Sequence, residues 1–208
     1  LPLSVGERAF PTAHAFRRHM HNHFAHHWGL IPKENPIPKK HDLWISDEMF
    51  ESLIKASGVE LTPFEWLWRV SQGGTIGENA LSALDIDHEV PAVTALIGGH
   101  SSAQVRLNRF MDEGLNHYHT NRNDFIKPAV SGLSPWFHFG HLSTVEVISR
   151  ILQQEGWDPS FIDHSRRGSR SGWWGLSEPI ETFLDQIITW RELGFNFAYY
   201  RDDHTSID

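Results

Sequence analysis

The residues best suited to hold an anion lie within residues 131–143, which read SGLSPWFHFGHLS. Ser134 followed by Pro135 is a helix-start signature, because a hydroxyl can cap free N–H groups and the fixed φ of proline suits the first turn. Gly132 and Gly140 allow backbone conformations that a β-carbon would block. A loop of small residues that leads into the free N–H groups of a helix start can bind a phosphate. Most Ser-Pro helix starts, however, bind nothing.

Tyr118 and Arg122 form a second candidate pair. They are four residues apart and would share one face of a helix. A phenol and a guanidinium so placed can bracket an anion. The same spacing equally fits a tyrosine packed on the core and an arginine at a helix C-terminus, where a positive charge is favourable.

Histidines crowd one stretch near the start of the chain. His19, His23 and His27 recur every four residues and could share a helix face as metal ligands. No nearby carboxylate or cysteine completes such a site. Histidines on a solvated face are the plainer interpretation, so we predict no metal.

Composition excludes several classes of protein. The net charge of −8 over 208 residues argues against a general basic nucleic-acid-binding surface, and the densest basic patch is Arg166, Arg167 and Arg170. The absence of cysteine rules out disulfides and thiolate metal sites and fits a cytoplasmic protein. No apolar run approaches the roughly 20 residues of a membrane span. The chain begins without Met and stops without a helix end, so we expect a piece of a longer protein.

Apolar residues at helical spacing predict the elements that position these candidates. The proline- and lysine-rich residues 31–41 predict a linker, and residues 157–177 a loop. With no alternating strand pattern and no internal repeat, the fold class is all-α. The expected helices are residues 12–28, 47–56, a helix from Thr62, residues 101–121, a helix from Ser134, and residues 143–156 and 177–193.

Several finer features of these helices are expected. Ser101 and Ser102 cap the helix 101–121, and Val105 belongs to its apolar face. Ser143 and Glu146 form a capping box, in which each side chain satisfies a backbone N–H of the other end.

Two further features concern the C-terminal third of the chain. Trp173 and Trp174 are adjacent, so one can pack inward while the other meets a ligand or a neighbouring domain. Gly194 is expected to interrupt the last helix.

Four stretches, in the same order along the chain, resemble the DNA photolyase/cryptochrome family. TAHAFRRHMHNHF is similar to the segment that leads into the family's catalytic half, and SGLSPWFHFGHLS to the flavin-cradling segment. RLNRFMDEGLNHYHTNRNDF resembles the helix with Tyr-x-x-x-Arg, and FLDQIITWRELGFNF the helix with an Arg-Glu-Leu core. The last, with GSRSGWWGL before it, is closest to class II cyclobutane-pyrimidine-dimer photolyases. The resemblance implies a helical bundle like the FAD-binding domain of photolyases.

The resemblance also implies which residues hold FAD. Tyr118 would contact the phosphate or ribose of the flavin cofactor, and Arg122 would face DNA or the pyrophosphate. A loop would wrap the pyrophosphate. Its residues are Val130, Ser131, Gly132, Leu133 and Ser134.

Residues on the last helix are implied to be catalytic. Gln186, Trp190 and Arg191 would lie near the flavin and the flipped-out lesion, with Trp190 and Arg191 also contacting DNA. Class II relatives usually carry Glu where Gln186 stands and Arg where Trp190 stands.

By resemblance, the chain is part of a light-driven DNA repair lyase that splits cyclobutane pyrimidine dimers with an electron from reduced FAD. Its partners would be UV-damaged DNA, FAD and the remaining domains of the parent protein, with no membrane. Residues 1–41 would be a lead-in helix and linker. Residues 42–208 would be the first part of the FAD-binding domain, with the antenna domain and the C-terminal half absent.

Three other interpretations stay open. The net charge is compatible with a cryptochrome-like flavin photoreceptor that does not repair DNA. A helical interaction domain that no longer binds flavin is a second alternative. A metal-dependent hydrolase built on the histidines is the third.

Overall fold

All regular secondary structure in the described residues is helical, which confirms the predicted all-α class. The structure is a computed structural model, and it describes residues 3–27, 29, 46–58, 85–91 and 93–203. Among these, no helix combines the length and the apolar character needed to cross a lipid bilayer. The predicted linker at 31–41 and the helix predicted from Thr62 lie outside the described residues.

Regular α-helices alternate with turns of tighter or wider helix. The α-helices are α1 (Ala13–His27), α2 (Asp47–Ser57), α3 (His100–Arg109), α4 (Tyr118–Asn121), α5 (Ser134–His138), α6 (Thr144–Gln154), α7 (Glu178–Leu184) and α8 (Arg191–Tyr200). Wider π-helical turns are Phe110–Gly114 and Asp185–Trp190, and 3-10 turns are Leu3–Gly6, Leu115–His117, Pro159–Phe161 and His164–Arg166. The chain therefore stays helical through residues 100–121 and again through residues 178–200.

The chain divides into two compact units, one of Leu1–Pro32 with Ile97–Asp208 and the other of Lys33–Leu96. In the smaller unit, α2 begins at Ser46, whose hydroxyl accepts a hydrogen bond from Met49 N at 3.2 Å. It ends at Gly58, which adopts the left-handed conformation that favours glycine (φ 66°). The predicted helix 47–56 is confirmed. The expected division after residue 41 stays a prediction.

One apolar core organises the larger unit. Phe16, Met20 and Phe24 on α1 are all buried, as their spacing predicts. The predicted apolar stripe of the last helix is also confirmed, and its buried members are Ile180, Phe183, Leu184, Ile187 and Ile188.

The adjacent Trp173 and Trp174 both pack into this core, so the prediction that one of them faces outward is wrong. Trp173 and Trp174 are 1% and 5% exposed. Trp173 stacks on His21 with ring centroids 3.7 Å apart, and Trp174 meets Phe24 edge-on at 4.7 Å. The carbonyl of Trp174 also accepts a hydrogen bond from Trp157 Nε1 at 2.7 Å. Both rings also contact Phe24 and each other, so the adjacent side chains are buried in one aromatic cluster.

Helix α3 begins one residue earlier than predicted. Its N-cap is Gly99, which has no side chain to offer, while Ser101 and Ser102 lie inside the first turn and do not cap it. Val105 is 70% exposed, contrary to its predicted inward face. The core side of α3 is instead taken by Leu107, which is fully buried.

Ser143 caps α6, but the predicted capping box does not form. The Ser143 hydroxyl accepts a hydrogen bond from Val145 N at 3.2 Å, whereas a capping box would take this bond from Glu146 N. Glu146 does not return to the backbone of Ser143. Its carboxylate instead lies 3.0 Å from His100 Nε2 and accepts a hydrogen bond from Gln104, so it joins α6 to α3.

Gly194 does not interrupt the last helix, because α8 runs through it to residue 200. Asn196, which is 3% exposed, fixes α8 against the start of the chain. Its Oδ1 accepts a hydrogen bond from Phe10 N at 3.1 Å, and its Nδ2 donates to the carbonyl of Arg8 at 2.8 Å. These contacts stabilise the helix beyond the glycine.

A buried ion pair joins α1 to the π turn at residues 185–190. Arg17 Nε lies 2.7 Å from Asp185 Oδ1, and its Nη2 lies 3.1 Å from Oδ2, so the pair is bidentate. Both residues are buried. Each charge therefore depends on the other for its compensation.

We expect Asp185→Asn to lower the free energy of unfolding by about 3–5 kcal/mol, because it leaves the buried guanidinium of Arg17 without a counter-charge. Arg17→Met combined with Asp185→Leu should cost less than the single change, since neither charge then remains. Urea unfolding of the three proteins measures both values. A double variant no more stable than Asp185→Asn would contradict a role for the uncompensated charge.

His21 is the second buried polar group of α1. Its Nδ1 accepts a hydrogen bond from Gly168 N at 3.1 Å. Burial, together with the positive charges of Arg17 and Arg167, lowers the pKa of His21 from 6.5 to about 3. His21 is therefore neutral in the folded protein at pH 7.

Because the pKa of His21 is lower in the folded than in the unfolded chain, protonation favours unfolding. Its contribution to stability is fully present above about pH 6.5 and is lost as the pH falls toward 3. We expect the wild type to lose up to about 1.4 kcal/mol per pH unit in this window relative to His21→Asn, which keeps an acceptor but does not titrate. Urea unfolding across pH 3–7 measures the difference. The exposed His26→Asn serves as control, and a parallel pH dependence in all three proteins would refute the assignment.

Candidate functional site

Three residues predicted from separate motifs meet between the end of α4 and the π turn at 185–190. In the amide orientation that satisfies its neighbours, the Gln186 carbonyl oxygen accepts hydrogen bonds from two side chains. Arg122 Nη1 donates at 3.0 Å, and Trp190 Nε1 donates at 3.3 Å. We call Arg122, Gln186 and Trp190 the Gln186 cluster.

Tyr118 adjoins this cluster through Arg122. Its ring is half-buried and packs edge-on against Phe110 and Phe183, with centroids 5.9 and 5.2 Å away. Burial raises the pKa of the Tyr118 phenol, while the charge of Arg122 and its hydrogen bond to the phenol oppose that shift. Tyr118 is thus neutral at pH 7. The ring lies on the core and Arg122 is the C-cap of α4, as in the second interpretation, and the binding of an anion by the pair stays a prediction.

A cleft of about 280 Å³ opens beside the Gln186 cluster. Its positive groups are Arg122 and Arg170, and Thr182 contributes a hydroxyl. Asp185 lines the same cleft, but its carboxylate is held by the bidentate pair with Arg17. Glu178 is the further carboxylate among the described lining residues. Two guanidiniums and a hydroxyl give the cleft the means to bind an anion.

Sequence reasoning missed the part that Asp185 plays in this site. The available signal was its position, because a carboxylate inside an apolar helical stripe must be buried and therefore paired. Arg170, by contrast, belongs to the predicted basic patch. Its Nε lies 4.0 Å from Asp185 Oδ2, and its side chain is two-thirds exposed.

The loop formed by residues 130–134 directly follows a hydrogen bond from Ala129 N to the Asn121 carbonyl, 3.1 Å long, at the end of α4. Gly132 has φ 64°, as predicted for a position that needs glycine. The Leu133 side chain is fully buried, so that residue can offer only its backbone to a ligand. The Ser131 hydroxyl accepts a hydrogen bond from Leu133 N at 3.4 Å.

Arg106 on α3 holds this loop in place through two hydrogen bonds, a role that the sequence did not reveal. Its Nε donates to the Ser131 carbonyl at 2.7 Å, and its Nη2 donates to the Val130 carbonyl at 3.2 Å. A β-carbon on Gly132 would lie 2.6 Å from Arg106 Nη2. Glycine at 132 is therefore required both by its backbone conformation and by the arginine.

Ser134 does not cap a helix, contrary to the prediction. It is the first residue of α5, which spans only five residues, and the N-cap position belongs to Leu133. Among the described residues, the backbone N–H groups of Gly132, Ser134 and Trp136 have no hydrogen-bond acceptor. Donors for an anion are therefore present at the loop, although the helix behind them is short.

Arg191, which was also predicted for the site, takes no part in the hydrogen bonds of the Gln186 cluster in the described part of the chain. Arg191 lies over the ring of Phe195 at 4.5 Å and pairs with Glu192 at 2.5 Å. Its role near a lesion stays a prediction. Trp190 itself is 49% exposed, so its ring has a face open to a ligand.

No metal-binding cluster of three His, Asp or Glu side chains occurs within the described ranges. Of the histidines weighed as ligands, His19 makes a 2.6 Å hydrogen bond to the Val5 carbonyl. The rings of His19 and His23 lie 4.5 Å apart.

Comparison with known proteins finds one recurrent name. The chain is 31% identical to the deoxyribodipyrimidine photo-lyase of Arabidopsis thaliana over 124 residues, 57% of this chain and 21% of that protein. It is 24% identical to the enzyme of the same name from Potorous tridactylus over 152 residues, 73% of this chain and 23% of that protein. A third match, to Methanothermobacter thermautotrophicus, is 31% identical and covers 53% of this chain and 20% of that protein. No protein-family model matches the chain.

These matches, together with the all-α fold, support membership of the photolyase family. The chain spans about a fifth of the length of the curated relatives that it matches.

We expect Gly132→Ala to lower the free energy of unfolding by at least about 1 kcal/mol more than Gly140→Ala. Both glycines have positive φ, 64° and 69°, so both variants incur the cost of a left-handed alanine, roughly 1–2 kcal/mol. Only at 132 would the β-carbon displace Arg106 and break its two bonds to the loop, since nothing lies within 4 Å of a β-carbon at 140. Urea unfolding measures both costs, and equal values would show that Arg106 does not depend on the glycine.

Proposed function

We propose that this chain is part of a flavin-dependent, light-driven lyase that repairs cyclobutane pyrimidine dimers in DNA. The observation that carries the proposal is the Gln186 cluster. Two motifs supply its residues, because Arg122 belongs to one and Gln186 and Trp190 belong to the other. Although Arg122 and Gln186 are 64 residues apart in the chain, the fold brings the arginine, the amide and the half-exposed tryptophan into direct contact. The similarity to proteins named deoxyribodipyrimidine photo-lyase supports the proposed reaction class.

The residues present fit FAD as a cofactor. Tyr118 would contact its phosphate or ribose through a neutral hydroxyl held by Arg122. The loop at 130–134 would bind the pyrophosphate through free N–H groups, with Arg106 holding the loop in place. When bound in its reduced form, FAD would supply and recover the electron that splits the dimer. The protein's own contribution is to position the two partners and set their electrostatic surroundings.

The cleft beside the Gln186 cluster supports contact with DNA. Arg122 and Arg170 would neutralise backbone phosphates, although the chain as a whole is acidic. The exposed face of Trp190 would stack on an extruded base, as aromatic side chains do in enzymes that act on flipped nucleotides. Arg191, one residue on, would lie at the edge of this surface.

One observation favours a second candidate function, a flavin photoreceptor without repair. Position 186 carries an amide where class II relatives by resemblance carry a carboxylate, and in this chain that amide is engaged by both Arg122 and Trp190. A chain that binds FAD but cannot split dimers would match this alternative.

We expect the purified chain to retain FAD through gel filtration, with flavin absorbance between 300 and 700 nm in the protein peak. Tyr118→Phe keeps the ring packing but removes the hydroxyl, so FAD should bind about tenfold more weakly, as for loss of one charge-assisted hydrogen bond. The control is Tyr199→Phe, which alters an exposed tyrosine on α8. Equal affinities for wild type and Tyr118→Phe would exclude Tyr118 from the cofactor site. A wild type that retains no flavin would count against cofactor binding by this chain.

The repair reaction itself is tested with an oligonucleotide that carries one thymine dimer. The FAD-loaded chain is reduced without oxygen and exposed to near-UV or blue light, and dimer loss is followed by chromatography. Light-dependent splitting supports the lyase, whereas bound flavin with no splitting supports the photoreceptor.

A further inference from the structure

A second and larger cleft lies at the start of the 130–134 loop. It measures about 510 Å³ and separates the helical stretch from α3 to α4 from residues 127–130. Val130 is the one predicted site residue in its described lining. Its charged lining residues are Arg106, Arg109, Glu113 and Lys127, and His117 lies along the same wall.

Arg106 is held in place at this cleft before any ligand binds. Two of its five N–H donors are used by the Ser131 and Val130 carbonyls. Those carbonyls carry no net charge, so the guanidinium keeps its full positive charge and further donors. An anion that reaches it meets a fixed cation, which limits the entropy lost on binding.

Arg109 and Lys127 add two positive charges whose side chains have no strong partner among the described residues. Arg109 Nε pairs with Glu113 Oε2 at 3.0 Å, but both side chains are about two-thirds exposed, so the pair is weak. The ammonium of Lys127 has no hydrogen-bond or ion-pair partner in the described part of the chain. Three cations against one carboxylate therefore give the cleft a positive charge on a chain whose net charge is −8.

We propose that this cleft, bounded by Arg106, Arg109 and Lys127, binds a phosphate group. A guanidinium fixed on one wall and two adaptable cations are the groups that recognise phosphate oxygens. The phosphate can belong to a nucleic-acid backbone or to a dinucleotide cofactor, and only the choice between these sources rests on the function proposed above.

The direct probe is inorganic pyrophosphate at constant ionic strength, because a ligand that binds the folded chain raises its unfolding temperature. We expect pyrophosphate to stabilise the wild type and to bind about tenfold more weakly to R109Q/K127Q. The charge-matched control R18Q/K55Q changes two exposed cations that are not among the described lining residues of the cleft, and it should bind like the wild type. Lys127→Gln alone, which removes no contact seen among the described residues, keeps the test usable if the double variant does not fold.

The two phosphate sources are separated by titrating FAD and a fluorescein-labelled 12-residue oligothymidylate. Oligonucleotide binding lost in R109Q/K127Q, with FAD binding kept, assigns the cleft to nucleic-acid phosphates, and the reverse assigns it to the cofactor. If pyrophosphate binds but neither FAD nor the oligonucleotide does, the result supports the phosphate site in the cleft and contradicts the proposed function. No stabilisation of the wild type by pyrophosphate, or equal stabilisation of R109Q/K127Q, would overturn the inference.

Discussion

The buried ion pair between Arg17 and Asp185 is the constraint on which the site depends. Removing two charges from water is costly, and the bidentate geometry of this pair compensates for it, with Arg170 as a further cation 4.0 Å from Asp185. The pair connects α1 to the π turn that carries Gln186 and Trp190. If α1 moved, Asp185 would lose its partner, and the turn that places the Gln186 cluster would lose its anchor.

Aromatic packing holds the irregular part of the larger unit. The loop of residues 157–177 contains only short 3-10 turns, yet Trp157, Trp173 and Trp174 are all buried. Glu181 adds to this by accepting hydrogen bonds from the backbone N–H groups of Gly172 and Leu176. The loop that brings Arg170 to the cleft is therefore held by its own side chains and by a buried carboxylate, although it lacks regular structure.

Much of the fold could be predicted from the sequence, because helical periodicity reports burial directly. The buried faces of α1 and of the last helix follow from the spacing of Phe16 and Met20, and of Ile180 and Phe183. Of the candidate site, the sequence predicted the residues that meet but could not predict that Gln186 bridges Arg122 and Trp190. Such a contact depends on tertiary packing, as do the burial of both adjacent tryptophans and the attachment of Arg106 to the loop.

The π turn at Asp185–Trp190 fixes how many residues this segment must contain. Such a turn holds one residue more than an α-helical turn of the same rise, so everything after it is rotated relative to a continuous α-helix. Removing one residue there would restore regular hydrogen bonding and turn the following side chains by about 100°. Trp190 Nε1 would then no longer reach the Gln186 carbonyl oxygen that it shares with Arg122. The number of residues in this turn therefore matters to the site as much as their identity does. A homologous helix that differs by one residue in this turn would present a different surface.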